Sequence, residues 1–136
     1  MNSISTIALS GMNAAARRLQ VSASNVANAT TTGALPDADG AVPAGEPQAY
    51  APLELVQTTT AGGGTQTNIT AVTPSTIAVS DPQASFANQN GLVAAPNVDL
   101  TLELVSQVIA SDAYAANATV MKVDDRMSKM LFNITA

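Results

Sequence analysis

The chain has 136 residues, a net charge of −5, and neither cysteine nor histidine. It therefore has no thiolate nucleophile, imidazole base or imidazole metal ligand. A Ser–Lys pair or a carboxylate pair stays possible, but Lys122 and Lys129 are the only lysines, and we expect no catalytic residue, no metal site and no cofactor. The few, scattered basic residues argue against a nucleic-acid partner. Aromatic residues make up only 3% of the chain, so we expect small side chains to be buried along helix seams and partners to complete the burial.

Apolar residues recur at steps of three and four through the first zone, residues 1–33. This spacing is helical, and the high alanine content favours a helix on intrinsic grounds. We predict a helix from Ser5 to Asn28, with the threonine run and Gly33 after it as the stop signal. The seam of this helix is predicted to contain Ile4, Ala8, Met12, Ala15 and Leu19.

The middle of the chain is rich in turn-forming residues. From about Thr30 to Pro96 it holds all seven prolines and seven of the eight glycines. Short β-branched runs at 50–60, 67–73 and 76–80 predict two to four strands, and the prolines confine some of them to sheet edges. We therefore expect residues 34–96 to form a small β-rich segment between two helical parts.

The last zone, residues 97–136, has the clearest periodicity. Apolar residues fall at every seventh position from Leu102 to Met130, and a companion series with the same spacing runs from Ala113 to Ile134. A seven-residue repeat predicts a left-handed coiled coil. We predict a helix over 97–134 whose internal seam contains Leu102, Ile109, Ala116, Val123, Met127 and Met130.

These parts predict a mainly α fold with a small β insertion. Because the middle segment must return the chain, we expect the N- and C-terminal helices to pair as an antiparallel coiled coil. The residues alone leave two interpretations open: an ordinary helical hairpin, or a subunit whose paired helices pack against neighbours in a polymer. Close approach on more than one side is permitted by the small residues Gly11, Ala14, Ala15, Ala115 and Ala116.

Other classes of protein are less well supported by the residues. Asp124 and Asp125 are neighbours on a predicted helix and point to different faces, which argues against a catalytic carboxylate pair. A secreted interaction protein built on a helical hairpin stays an alternative. The chain lacks both an apolar run of about 18 residues and a basic segment at its start. We therefore expect neither a membrane span nor a cleaved signal peptide.

Three stretches of the chain carry a recognisable signature. Residues 10–33, SGMNAAARRLQVSASNVANATTTG, contain an Asn-(Leu/Val/Ile)-Ala-Asn elbow before Thr and Gly. Residues 81–100 open with Asp-Pro and end with Pro-Asn-Val-Asp before the last helix. Residues 103–131 hold an Ala-Ser-x-x-Tyr-x-Ala-Asn core and a Met-rich tail. In this order and at this spacing the three stretches resemble the axial proteins of the bacterial flagellum, in particular their short proximal-rod subunits.

This resemblance implies a structural protein, not an enzyme. Members of the family leave the cell through the flagellar type III apparatus and assemble across the periplasm into a hollow helical drive shaft, which transmits torque and passes export substrates. The implied partners are copies of the chain, other rod subunits, the inner-membrane ring and the export apparatus. The implied elbow and subunit-contact residues are Gly11, Asn25, Ala27, Asn28, Gly33, Asn97, Asp99, Tyr114 and Asn117. For Tyr114, packing against the first helix is an equally open alternative.

Two departures from the family pattern bear on its contacts. Members of the family have a tyrosine followed by a basic residue soon after the elbow. Here the tyrosine is delayed to Tyr50 and is followed by Ala51 and Pro52. At Asp112 the usual residue is basic. Both changes remove positive charge, so we expect a different interface polarity in this chain, especially from residue 34 onward.

Overall fold

The computed structural model describes residues 3–37 and 39–135, and its two long helices enclose a small β region in the sequence. The elements are α1 (Ser3–Asn28), β1 (Leu53–Thr59), β2 (Thr65–Ala71), β3 (Thr76–Ser80), β4 (Leu92–Pro96) and α2 (Leu100–Thr135). The prediction of terminal helices on either side of a small β region is confirmed. The strand β4 was not predicted, because its sequence was interpreted only as the approach to the last helix.

The two helices lie side by side, and their contacts follow opposite orders along the chain. Near the start of α1, the Ser5 hydroxyl donates a hydrogen bond to the Asp124 carboxylate, close to the end of α2. Near the end of α1, Ser22 Oγ donates to the backbone oxygen of Glu103 in the first turn of α2, at 2.9 Å. The helices therefore contact each other while running in opposite directions.

Small side chains make up the contact between the helices. Gly11 marks a close approach, because a Cβ atom added there would lie 2.5 Å from the Asn117 Oδ1 atom. Small side chains let two helix backbones come close together. Each buries little apolar area, but the many close atomic contacts compensate for this. The buried apolar residues of the two helices are Ala8, Ala14, Ala15, Val21 and Ala110.

The predicted internal seam of α2 is wrong by one residue. The positions that face α1 also recur every seventh residue, but they are Glu103, Ala110, Asn117 and Asp124. One residue corresponds to a rotation of about 100° around a helix, so the predicted apolar series lies beside the contact with α1 and not at its centre. Leu102 illustrates this, with 67% of its surface exposed. Both series share one period, and a period alone does not identify the side that meets the partner helix.

The first seam is predicted better than the second. Ala8 and Ala15 are buried between the helices, and Met12 is half-buried. Ile4 and Leu19 lie at the margins of the contact and remain largely exposed. The small residues of the seam therefore carry the packing, and the larger ones extend to the surface.

Two antiparallel hairpins form the β region. In the first, β1 pairs with β2 from Leu53–Ala71 to Thr59–Thr65. Its turn contains Gly63 and Gly64 with φ of 81° and 90°, a backbone region in which glycine avoids the strain of a Cβ atom. In the second hairpin, β3 pairs with β4. Val93 and Ala94 of β4 are fully buried and form a second small core with Ala34 and Ala49.

The helix ends differ slightly from the predicted ones. The first helix ends at Asn28, as predicted, but Gly33 lies five residues further on and does not cap it. The amide and the hydroxyl of Thr31 both donate to the Asn28 backbone oxygen. The second helix begins at Leu100, because the Asp99 carboxylate accepts hydrogen bonds from the amides of Thr101 and Leu102, at 2.9 and 3.1 Å.

Candidate subunit interface

The elbow after α1 is organised around Asn25, which is buried. Its Nδ2 atom donates to the Leu53 oxygen at 2.8 Å and to Glu103 Oε1 at 2.6 Å. Its Oδ1 atom accepts from the Leu53 amide and from the Tyr50 hydroxyl, both at 3.0 Å. The side-chain amide thus fixes the start of β1 on α1 and ties both to α2.

The delayed Tyr50 still reaches the elbow. Besides its bond to Asn25, its hydroxyl lies 3.1 Å from Ser24 Oγ. The insert between residues 34 and 49 folds back beside the elbow, since the Ala34 amide donates to the Pro47 oxygen at 2.8 Å. The insert therefore delivers its tyrosine to the elbow despite the longer path along the chain.

Gly33 lies where three pieces of backbone meet. It forms an isolated antiparallel bridge with Ala94, with hydrogen bonds of 3.0 and 2.8 Å in the two directions. A Cβ atom at Gly33 would collide with the backbone of Pro47, Gln48 and Ala49. The glycine is therefore needed for close approach of backbones and not, as predicted, as the stop of α1.

The remaining elbow positions have local roles. Asn28 Nδ2 donates to the Ser24 oxygen at 2.9 Å, inside the last turn of α1, and Ala27 is exposed. Asn97 fixes the approach to α2, because its Nδ2 atom donates to the Pro74 oxygen at 3.0 Å. The part of these side chains in assembly stays a prediction.

The first hairpin lies along α1 through polar contacts. The Thr65 amide donates to Ser10 Oγ at 3.1 Å, near the hairpin turn. Further along the helix, Arg17 reaches Thr67 Oγ1 at 3.3 Å. Arg18 similarly reaches Gln57 Oε1 at 3.3 Å. The hairpin thus covers one side of α1 and occupies both arginines of the first zone.

The exposed apolar series of α2 forms a continuous surface, which we name the heptad stripe. Its residues are exposed to solvent, and Val123, for example, is 47% exposed. A large exposed apolar surface marks a site of contact with another molecule. The heptad stripe consists of Leu102, Val105, Ile109, Ala116, Val120, Val123, Met127 and Met130.

A shallow apolar cavity of about 250 Å³ opens between the helices on another side. Its floor is built from alanine and serine, and the larger side chains of Leu19 and Tyr114 line it as well. Tyr114 therefore lines this cavity together with residues of α1, and it is 45% exposed. We name this cavity the small-residue groove, and its lining residues are Ala15, Ala16, Leu19, Ala110, Ser111 and Tyr114.

Asn117 does not lie where a lateral contact requires it. Its side chain is half-buried beside Gly11, and its Nδ2 atom donates to the Ala113 oxygen at 2.7 Å. The prediction of Asn117 as a contact to a neighbouring subunit is therefore corrected to a contact between α1 and α2. The physical reason is the missing side chain at Gly11, which leaves space that the amide fills.

Several polar residues of the helix contact were missed by the sequence reasoning. Glu103 and Asp124 face α1, whereas Asp125 is exposed and pairs with Lys129 at 2.6 Å. The two neighbouring aspartates thus point to different faces, as predicted. A signal was present, since Glu103 and Asp124 share one seven-residue register with Ala110 and Asn117. These positions were not predicted as the seam because three of the four residues are polar.

Together, a pair of long helices with an open heptad stripe and a polar, tightly bonded elbow define an elongated building block with an unfilled contact surface. In the described residues, neither α1 nor α2 combines the length and apolarity that a membrane crossing needs. Two family models match the chain. Residues 6–34 match the model described as flagella basal body rod protein, and residues 89–134 match the model described as flagellar basal body rod FlgEFG protein C-terminal.

Relatives of known identity agree with these matches. The chain is 36% identical over 123 residues to the flagellar basal-body rod protein FlgC of Yersinia enterocolitica, covering 85% of this chain and 83% of the relative. It is 35% identical over 134 residues to FlgC of Salmonella typhimurium, covering 92% of this chain and 91% of the relative. The chain therefore belongs to the flagellar basal-body rod protein family. It is a structural rod subunit, and the resemblance inferred from the three sequence stretches is confirmed.

Proposed function

We propose that this subunit polymerises into a hollow helical drive shaft that transmits torque and passes export substrates. The helices pair as an antiparallel coiled coil and form the wall of the inner tube, while the β region lies outside it. The observation that carries this proposal is the heptad stripe, which runs along α2 and stays exposed in the single chain. A heptad stripe is the surface with which a helix packs against another helix.

The exposure of the heptad stripe supports assembly of many copies. Large side chains of the heptad stripe lie on one helix, and their exposure leaves burial incomplete in the monomer. A contact that joins two different surfaces of identical subunits continues from copy to copy and builds a helical filament when the rotation does not close. Repetition along a screw axis then buries the heptad stripe in every subunit except the terminal ones.

The route to the rod is part of the same proposal. The subunit passes through the flagellar type III apparatus without a cleaved signal and takes its place in the periplasm, beside other rod subunits and near the inner-membrane ring. The contact between its helices rests on small side chains, so little apolar area is buried before assembly. Weakly stabilised terminal helices unfold for export at small cost and order on incorporation.

A matched pair of substitutions in the first turn of α2 tests the stripe. Leu102→Asp places a charge on the heptad stripe, whereas Thr101→Asp places the same charge on the neighbouring exposed position. Aspartate near a helix N-terminus interacts favourably with the helix dipole, so neither change unfolds α2. We expect the Leu102→Asp subunit to be exported but absent from isolated basal bodies, and its cells to be non-motile.

The control separates assembly from folding. Cells with Thr101→Asp are expected to swim and to incorporate the subunit as usual. Equal swimming and equal incorporation for the two variants would contradict a role of the heptad stripe in assembly.

A further inference from the structure

The heptad stripe and the small-residue groove are both uncovered in the single chain. The stripe presents large apolar side chains, and the groove has space between small ones. We infer that the heptad stripe of one copy packs into the small-residue groove of a second copy, an inference that rests on the proposed polymer. The stripe supplies large side chains such as Ile109, whereas the floor of the groove is lined by alanine and serine. A large residue that enters a hole between smaller ones on a facing helix is the packing unit of coiled coils.

The two surfaces lie on opposite sides of α2. Leu102, at the start of the stripe, lines a cavity together with Arg18 and with Leu53 of the first hairpin. The stripe is therefore on the hairpin side. The small-residue groove is lined only by helix residues, and Ser111 lies two positions, or about 200°, beyond Ile109 around α2. A copy can thus present its stripe to one neighbour and its groove to another at the same time.

This arrangement identifies a second copy as the occupant of the groove. Contacts that join two different faces are heterologous, and each bound copy leaves a free stripe and a free groove for the next ones. A stripe that paired with another stripe would instead give a closed dimer with no further growth. The geometry of the single chain therefore matches growth along a series of identical subunits.

The cysteine-free sequence allows a direct test by disulfide formation. Ile109→Cys reports the stripe and Ala16→Cys reports the groove. Each variant is expressed alone, and the two are also expressed together, in cells whose rods contain the variant chain. Isolated basal bodies are then oxidised and separated on non-reducing gels. A disulfide requires Cα atoms within roughly 7 Å, so only cysteines that meet directly are joined.

We expect a dimer-sized product from the co-expressing cells and none from cells with either variant alone. A product from Ile109→Cys alone would show stripe against stripe and overturn the inference. Basal bodies that contain both variants but give no product would overturn it as well, while leaving the proposed polymer intact. Thr70→Cys, on the exposed edge of the first hairpin, serves as a control that is expected to stay unlinked when combined with Ala16→Cys.

A failure of the proposed polymer has a different signature. In that case the cysteine-free chain itself is missing from isolated basal bodies, as measured by mass spectrometry of their subunits. The inference, which depends on assembly, would then fail with the proposed function.

Discussion

Asn25 and Glu103 are joined by a hydrogen bond of 2.6 Å between Asn25 Nδ2 and Glu103 Oε1, and this bond ties the last turns of α1 to the first turn of α2. The same amide holds both the amide and the carbonyl of Leu53. A side-chain amide has two donor hydrogens and an oxygen that accepts two bonds, and Asn25 uses all four. The place where the chain leaves the helix pair is therefore set by one side chain.

Asn25→Asp is expected to lower the free energy of unfolding by about 3 kcal/mol, because a donor to Leu53 and Glu103 is lost and two carboxylates face each other. Adding Glu103→Gln is expected to recover about 1 kcal/mol or more, since the glutamine amide donates to the new carboxylate. Urea unfolding of the isolated subunit measures both values. Asn13→Asp, at an exposed position of α1, is the control. A loss of similar size at Asn13 would refute the special role of Asn25.

Gly11 and Asn117 are expected to be energetically coupled. An alanine at Gly11 improves helix propensity by about 1 kcal/mol, but its Cβ atom meets the Asn117 side chain. Gly11→Ala should therefore be clearly stabilising only when combined with Asn117→Ala. A double-mutant cycle of unfolding free energies is expected to give a coupling of about 1 kcal/mol. Additive effects of the two substitutions would mean that the helices do not approach closely here.

The sequence predicted the elements of this fold much better than the side chains that join them. Alanine content and periodicity were enough for α1 and α2, because these signals are local. The strand β4 was missed because its sequence, LVAAP, has only one β-branched residue and was interpreted as the approach to the last helix. Which side of α2 meets α1 depends on the small residues of α1. They leave room for polar side chains such as Asn117, so the side that packs against α1 is not the most apolar one. Both series have the same seven-residue period, so the period does not identify the one that meets α1.

The elbow shows the same limit in another form. The resemblance marked Asn25, but it did not identify Glu103 as its partner, because the two are 78 residues apart and meet only in the folded chain. Tyr50 was interpreted as a departure from the family pattern, yet its hydroxyl returns to Asn25. Sequence reasoning therefore identified the amide and missed the residues that it bonds.

Gly33→Ala is expected to destabilise the subunit by about 1–3 kcal/mol, the range for forcing extra atoms into a packed site. The collision is with backbone atoms of Pro47 and its neighbours, which cannot move aside as the end of a side chain can. Gly62→Ala is the matched control, because nothing lies within 4 Å of a Cβ atom at that glycine. Thermal unfolding of the two variants checks the difference. Equal midpoints would show that the insert does not pack on Gly33.

Asp99→Ala is expected to cost about 1 kcal/mol, the usual effect of removing an N-cap side chain. The amides of Thr101 and Leu102 lose their acceptor, and the first turn of α2 then frays. Asp99→Ser should retain most of the stability, because a serine hydroxyl accepts the same bonds. Urea unfolding compares the variants, and protection of the two amides in hydrogen exchange locates the change. Unchanged protection in Asp99→Ala would argue against this cap.

Substitutions at two adjacent positions of α2 distinguish the contact within the subunit from the surface proposed for assembly. Ala110 is 2% exposed against α1, whereas Ile109 is 49% exposed on the heptad stripe. Ala110→Asp buries an unpaired charge and is expected to cost more than about 3 kcal/mol of unfolding free energy. Ile109→Asp is expected to cost about 1 kcal/mol or less, chiefly through lower helix propensity. Urea unfolding of the isolated subunit measures both values. If Ile109→Asp were as costly as Ala110→Asp, the stripe would belong inside the subunit; if it folds normally but fails to enter basal bodies, the stripe acts between subunits.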